Sequence, residues 1–595
     1  MTTSLPEEDT PWIPGAPRSQ STRLLPLPPG AASNLRAYIT AVDDAAGVSA
    51  ETRTDDQDGT LRLRLRGPST ATAVLLLPAA DPVALWLPHS SSDRSSLPPS
   101  WVDDTSVTPF TGPAIGSLLG RGDRALVTFG ATTASGSLRM RAGMVEETAD
   151  LLLSFEADLT EGPMEIVLKL NGDRFETAVA TVGRALGMTR PPVSPSEYAP
   201  VLCTWYSFHQ ALDPDRLLEE AAAAAKLGFG NLIVDDGWQT EDCDRGYGSC
   251  GDWNIHPAKI GDASALVEKI SRLGLRTLWW IGTPFLGHRS KAYTDDLPTL
   301  YDEPDMEAAV LDPRSRRARS HLISRLDHLV GSTGAAGLKI DFLERWAAET
   351  TTAPPADAVE PSVTQAALSL LDEIHDALTA HVAQPSLEFR APYISGDTVR
   401  RATMLRVADC PLSPVVNRTG VIDLRLMTDG IAVHSDPIMW GEADSPERVA
   451  QHLHSSLFGV PQVSVALTGQ SERQLATLRT WMQLWTEYSD VLLHGSLRVT
   501  GIAGNYTVAE ASLNGATVTA QYAPAFCDIP HEASEWILVN AHDGEVAVRT
   551  ARTRTAVYRI SDCEGNVVDE GTVTFEGLSV LGIPPGGFAR LSLLA

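Results

Sequence analysis

The sequence predicts an α/β protein built around a (β/α)8 TIM barrel, with an N-terminal β-sandwich and a C-terminal antiparallel β domain. Three observations carry that prediction. Short β-prone runs separated by Pro, Gly, Ser and Asp fill residues 1–190; strands alternate with longer helical segments over 191–490; strand-only sequence returns over 491–595. A chain of 595 residues is also too long for one ordinary domain.

In the first segment "LRLRLRG", "ATAVLLLP", "RALVTFGAT" and "EIVLKL" read as strands of a sandwich, and the Pro-rich "MTRPPVSPSEYAP" (Met188–Pro200) reads as a linker. From Val201 the rhythm changes. "VLCTWYSF" precedes the helix "DPDRLLEEAAAAAKLG"; "NLIVDDGW" precedes "ASALVEKISRLG"; "RTLWWIG" precedes a helix through "SRRARSHLISRLDHLV"; "LKIDFLE" precedes "VTQAALSLLDEIHDALTAHV". "SLEFRAP", "MLRVADCP", "IAVHSDPIMW" and "PQVSVAL" complete eight strand candidates between residues 201 and 470. A last helix, "SERQLATLRTWMQLWTEYS", leads into "ATVTAQYA", "EWILVNAH", "TAVYRISD" and "FARLSLL".

The formal net charge of −28 argues against nucleic acid or an anionic membrane as partner. The opening "MTTSLPEEDTPWIPGAP" lacks a basic stretch followed by an apolar one, and no apolar run is long enough to span a membrane. The expected location is therefore the cytoplasm. Six scattered cysteines are expected as free thiols, although Cys243 and Cys250 could close a small loop. No Cys/His cluster has zinc spacing and no Gly-rich phosphate loop occurs, so no metal and no cofactor is expected.

Catalytic groups of such a barrel come from the C-terminal ends of its strands. Here those ends carry Asp235 and Asp236, Trp279 and Trp280, Lys339 and Asp341, Glu388 and Arg390, Arg406 and Asp409, then His434 and Asp436. Stability alone does not place so many charges there, because burying them is costly. Lys339 and Asp341 are two residues apart on one strand and share a face. Carboxylates, cations and Trp around one mouth suit a sugar, with hydroxyls for the former and an apolar C–H face for an indole. Cleaving a glycosidic bond then requires a pair of carboxyl groups.

The motifs "TWYSF", "IVDDGWQ", "GDW", "LKIDF" and "RVADCP", in this order, resemble the α-galactosidase clan of retaining glycoside hydrolases, most closely the bacterial family 36 type. The likeness covers Leu202 to Val463, and the flanking domains by arrangement only. It implies that Asp341 is the nucleophile and that Lys339 reaches a sugar hydroxyl and helps keep Asp341 ionised. It implies that Asp235 and Asp236 hold the 4- and 6-hydroxyls of galactose, and that Asp409, 68 residues after Asp341, is the acid/base. The family's Gly- and Cys-containing segment after the fifth strand and its Trp-Thr-Ser-Asp ending on the sixth are replaced by "LEFRAPYISGD" and "RVADCP". Glu388, Arg390 and Arg406 are the candidates for the 2-position corner. Trp205 and Trp280 are candidate pocket walls, with Trp279 in the core.

The implied activity is release of terminal α-D-galactose from an oligosaccharide or glycoside by double displacement, with the two carboxyl groups roughly 5–5.5 Å apart and the acid's pKa raised by the Asp341 charge. Rival substrates are α-N-acetylgalactosaminides and β-L-arabinopyranosides; a rival of another class is a non-catalytic carbohydrate-binding barrel. Asp409 could instead cap a helix, with Asp436 as the acid, and the Asp235–Asp236 pair could cap a loop. Trp253 suits packing and sugar contact equally. Arg314 is expected in solvent, His434 as a hydrogen-bonded core histidine, and Cys410 as a wall. Homo-oligomers are common in the resembling family, but no stretch of the sequence marks an interface.

Overall fold

The computed structural model describes residues 21–594 apart from 29–33, 42–46, 79–80, 89–101, 134–135, 147, 171 and 348–351. The N-terminal stretch searched for a leader lies outside the described residues. The chain divides into two compact units, Met1–Gly187 and Met188–Ala595.

Two six-stranded antiparallel sheets and the helix Phe175–Ala185 make up the described part of the first unit. Strand Leu61–Arg66 shows why they form: Leu61, Leu63 and Leu65 are buried while the intervening arginines face outward, the period of two that a sheet with one wet face demands. One apolar core runs between the sheets through residues such as Ile39, Leu75, Phe129, Phe155 and Ile166.

In the second unit eight parallel strands run β1 (Val201–Cys203), β2 (Asn231–Val234), β3 (Arg276–Gly282), β4 (Gly337–Asp341), β5 (Ser386–Arg390), β6 (Met404–Arg406), β7 (Ala432–His434) and β8 (Gln462–Val463). Each pairs with the next from β1 to β7, and β8 pairs with β1. Parallel bridges from His434 to Val460 and from Ile438 to Val463 draw β7 to β8 and close the barrel. Helices α1 (Pro214–Lys226), α2 (Ala263–Arg272), α3 (Arg316–Thr333), α4 (Val363–Leu378), α5 (Gly396–Val399), α6 (Pro414–Met427), α7 (Pro446–Ser455) and α8 (Glu472–Glu487) follow the strands in turn. All eight begin after a Ser or Asp whose side chain accepts a hydrogen bond from the first turn, which explains where the strand–helix alternation breaks.

Between β3 and α3 lies a three-stranded antiparallel sheet, Phe285–Gly287, Thr299–Glu303 and Ala308–Leu311, that the sequence reading did not separate from the loop. Arg314 at the end of this insertion corrects another expectation. It is 3% exposed and bonds both oxygens of buried Asp312 at 2.9–3.3 Å, because that carboxylate would otherwise be unpaired in the interior. His434 is the core histidine expected, its Nε2 2.8 Å from the Glu197 carbonyl and its Nδ1 3.3 Å from Gln462.

After α8 come a seven-stranded sheet (outermost strands Ser496–Thr500 and Val567–Phe575) and a small three-stranded one. They are tied to the barrel through α6 and α8. Tyr506 donates to Asp423 and Arg418 to the Asn505 carbonyl at 2.8 Å, both from α6; Trp481 of α8 packs between His454 and Phe588.

Candidate active site

Nine of the ten residues named from the sequence meet in one cleft at the C-terminal mouth of the barrel: Trp205, Asp235, Asp236, Trp280, Lys339, Asp341, Arg390, Arg406 and Asp409. The tenth, Glu388, is a correction. It points inward on β5 like Arg390 but one layer deeper, where Gln462 of β8 donates to its carboxylate. Its Oε1 and the Arg406 Nε stand 3.5 Å apart, neither with a hydrogen-bond partner, so it serves as the counter-charge beneath Arg406.

Asp341 is 8% exposed at the end of β4. Its Oδ1 accepts from Arg390 Nε at 2.6 Å and from the Phe342 amide at 2.8 Å; its Oδ2 accepts from Trp280 Nε1 at 3.1 Å. Burial alone would raise its pKa, but the charges of Arg390, Lys339 and Arg406 overcome that and hold it well below the usual carboxylate range. The direct partner is therefore Arg390. Lys339, expected beside Asp341, bonds Asp235 Oδ2 at 2.5 Å instead and acts on Asp341 from further off. Strand alternation placed both β4 residues on the right face, but the end of β2, two strands away around the barrel, supplied the nearer carboxylate.

Lys339 and Asp235 are both nearly inaccessible, and burial, which would lower the ammonium's pKa, is outweighed by that carboxylate. Lys339→Met leaves Asp235 uncompensated in the interior. We expect the barrel to lose about 3–5 kcal/mol of stability, read as a lower midpoint of urea unfolding than the parent protein shows.

Asp236 lies on the other side of the same loop, held by Gln210 Nε2 at 2.8 Å and Gln239 Nε2 at 2.6 Å. Burial pushes its pKa up to about 7 against those two bonds. The next residue must be glycine. Gly237 has φ +116°, and a Cβ there would stand 2.5 Å from the Gln210 Cα, displacing the amide that orients Asp236.

On the acid side Arg406 Nη1 reaches Asp409 Oδ1 at 2.8 Å and also Asp436 Oδ1. The Asp409 side chain is 62% exposed at the mouth, whereas Asp436 is fully buried with Tyr206 and the Cys410 amide on its Oδ2. Their pKa values depart from the expectation. The protein packed around its cleft-facing side favours a proton on Asp409, but Arg406 outweighs both that and the Asp341 charge, so the carboxyl sits below its ordinary value. Burial carries Asp436 up to about 7 despite Arg406. A neighbouring anion was expected to dominate at Asp409; the cation three residues back on the same chain dominates instead.

Trp280 lines the cleft and Trp279 turns away to bond Thr333 Oγ1 at 3.1 Å. Trp253 packs between Trp238 and Trp280 and does not line the cleft. Sequence reasoning missed Tyr206, Tyr247, Phe342 and Pro437 as wall residues and weighed Asp436 only as a rival acid. Tyr247 stacks on Trp280 at 6.1 Å and meets Phe342 edge-on at 5.0 Å. Both come from loops with no periodicity. The signal available for Tyr206 was its place in "TWYSF", directly after β1.

Comparison with known proteins agrees with this fold. Residues 191–390 match the model of the melibiase family. The probable alpha-galactosidase G of Emericella nidulans is 30% identical over 133 residues, covering 20% of this chain and 18% of that protein. The bifunctional alpha-galactosidase/sucrose kinase AgaSK of Mediterraneibacter gnavus is 26% identical over 126 residues, 21% of this chain and 13% of that one. The matched stretch thus spans less than a fifth of either relative. Among solved structures, a variant of the GH36 alpha-galactosidase AgaA of Geobacillus stearothermophilus, in complex with 1-deoxygalactonojirimycin, superposes with a TM-score of 0.66 at 15% identity, over 94% of this chain and 83% of that one. Other variants of that enzyme were solved with raffinose and with stachyose. Residues 191–390, which hold the first five strands of the barrel, are thus similar to the melibiase family, and the chain shares the fold of the GH36 alpha-galactosidase AgaA.

Proposed function

We propose that this protein is a retaining exo-glycoside hydrolase that releases terminal α-D-galactose from oligosaccharides. The observation that carries the reading is a buried, ionised Asp341 facing the same cleft as a mouth carboxylate, Asp409. In the first step Asp341 attacks the anomeric carbon while Asp409 protonates the departing oxygen; in the second Asp409 takes a proton from the water that replaces Asp341. Asp235 and Asp236 hold hydroxyls of the non-reducing sugar, and Trp280 and Tyr247 offer it an aromatic wall.

Arg406 holds Asp409 as a carboxylate, the form that serves as base. The proton for the first step binds as the sugar dries the mouth and the carboxyl loses its exposure to water. Raffinose and stachyose, bound by the similar AgaA, are the substrate class we assign. Six unpaired cysteines support a reducing, cytoplasmic setting.

The test is a panel of aryl glycosides: α-galactoside, α-N-acetylgalactosaminide, β-L-arabinopyranoside and α-glucoside. We expect the α-galactoside to be turned over at least tenfold faster than the others, with the α-anomer of galactose appearing first by NMR. Faster turnover of another member, or β-galactose as the first product, would sink the assignment.

A further inference from the structure

We infer that Arg390 is a positioning residue that selects the attacking oxygen of Asp341 and speeds release of the sugar from it. The inference rests on the double displacement proposed above. A carboxylate oxygen offers two in-plane lone pairs. Those of Asp341 Oδ1 face two short donors, Arg390 Nε at 2.6 Å and the Phe342 amide at 2.8 Å. Tyr393 Oη also lies 3.4 Å away, but its single proton has the better acceptor in the Ile340 carbonyl at 2.9 Å. Among the described residues, Oδ2 receives only Trp280 Nε1, at 3.1 Å. Only Oδ2 therefore keeps a lone pair for the anomeric carbon.

The arrangement is braced from several sides. Arg390 Nη2 bonds Glu344 at 2.8 Å and Nη1 the Ala391 carbonyl at 3.1 Å, while the guanidinium lies 5.4–5.8 Å from the Tyr393 and Phe342 ring centres. Phe342 holds a left-handed backbone, φ +66°, uncommon for so bulky a residue, and in it the amide points at Oδ1. The other oxygen of Glu344 is buried with no hydrogen-bond partner, so this carboxylate is held by its ion pair with Arg390.

The consequence differs between the two half-reactions. In the first, the Oδ2–C1 bond forms as the C1–O bond to the leaving group breaks, and the leaving oxygen takes the Asp409 proton. Oδ1 becomes the carbonyl of the ester, still held by Arg390. In the second, the water oxygen bonds C1, its proton passes to Asp409, and the Oδ2–C1 pair returns to the carboxylate. Negative charge thus leaves Asp341 in the first step and returns in the second. A cation fixed on Oδ1 favours the return.

Arg390→Gln tests this on 2,4-dinitrophenyl α-galactoside, with Arg390→Lys as the charge-keeping control. We expect Arg390→Gln to lower kcat at least tenfold and KM with it, to show a burst of dinitrophenol, and to accumulate a galactosyl peptide containing Asp341, read by mass spectrometry. Asp341 has a depressed pKa, so activity is present above it and lost as pH falls through it. The acid limb of kcat/KM should rise by a pH unit or more in Arg390→Gln and by less in Arg390→Lys. A lower kcat with unchanged KM, no burst and an unmoved acid limb in both variants overturns the inference. If the parent enzyme, trapped with a 2-fluoro galactoside, gives no adduct at Asp341, the double displacement itself fails.

Discussion

Asp341→Ala is expected to lower kcat/KM on aryl α-galactosides by about 10^4-fold or more, equivalent to about 5.5 kcal/mol of transition-state stabilisation. The loss is that large because the carboxylate makes the bond to carbon, and no other carboxylate of the cleft shares its set of donors from Arg390, Phe342 and Trp280. Removing it also leaves space on the face it attacks from. Azide should enter that space and restore turnover, giving β-galactosyl azide, inverted at the anomeric carbon. Undiminished activity in Asp341→Ala would refute the nucleophile assignment. Rescue yielding α-galactosyl azide would assign Asp341 the acid/base role instead.

Asp409→Asn should act in the opposite sense with respect to the leaving group. A natural trisaccharide needs protonation of its departing oxygen, so its turnover should fall by about 10^2–10^4-fold. Dinitrophenolate needs none, so the first step should survive and the enzyme should stall at the galactosyl-Asp341 stage. Azide, which needs no general base, should then attack that intermediate and give α-galactosyl azide. Asp436→Asn is the contrast. If Asp436 were the acid, this leaving-group dependence would move to it. In our reading Asp436→Asn instead weakens the hold on Arg406 and affects good and poor leaving groups alike.

These expectations separate what the sequence made legible from what it did not. The barrel was readable because each strand is apolar and each helix opens on a Ser or Asp cap, signals local to a few residues. The Lys339–Asp341 face followed from strand alternation. Partner choice did not follow, because it depends on how the strand ends converge around the barrel: Lys339 found Asp235 at the end of β2, two strands away, and Asp341 found Arg390 of the adjacent β5. Glu388 shows the same limit in depth. It stands two positions before Arg390 and both face inward, yet one layer of barrel interior decides that Arg390 meets the cleft and Glu388 does not. Tyr247 and Phe342 were invisible for another reason. One sits in an irregular loop and the other turns inward through a backbone angle that no sequence period reports.

The pair of buried aspartates at about 7, Asp236 and Asp436, gives the cleft a charge that changes across the neutral range. Five aspartates line it against three cations, a formal balance of −2 when all are ionised and of zero when these two hold protons. The lining thus grows more negative as the medium passes neutrality, and more attractive to cations. Sugars bearing a carboxylate or sulfate are therefore expected to bind less well as the medium becomes basic. A ring carrying a protonated amine is drawn in over the same interval, until the amine gives up its own proton.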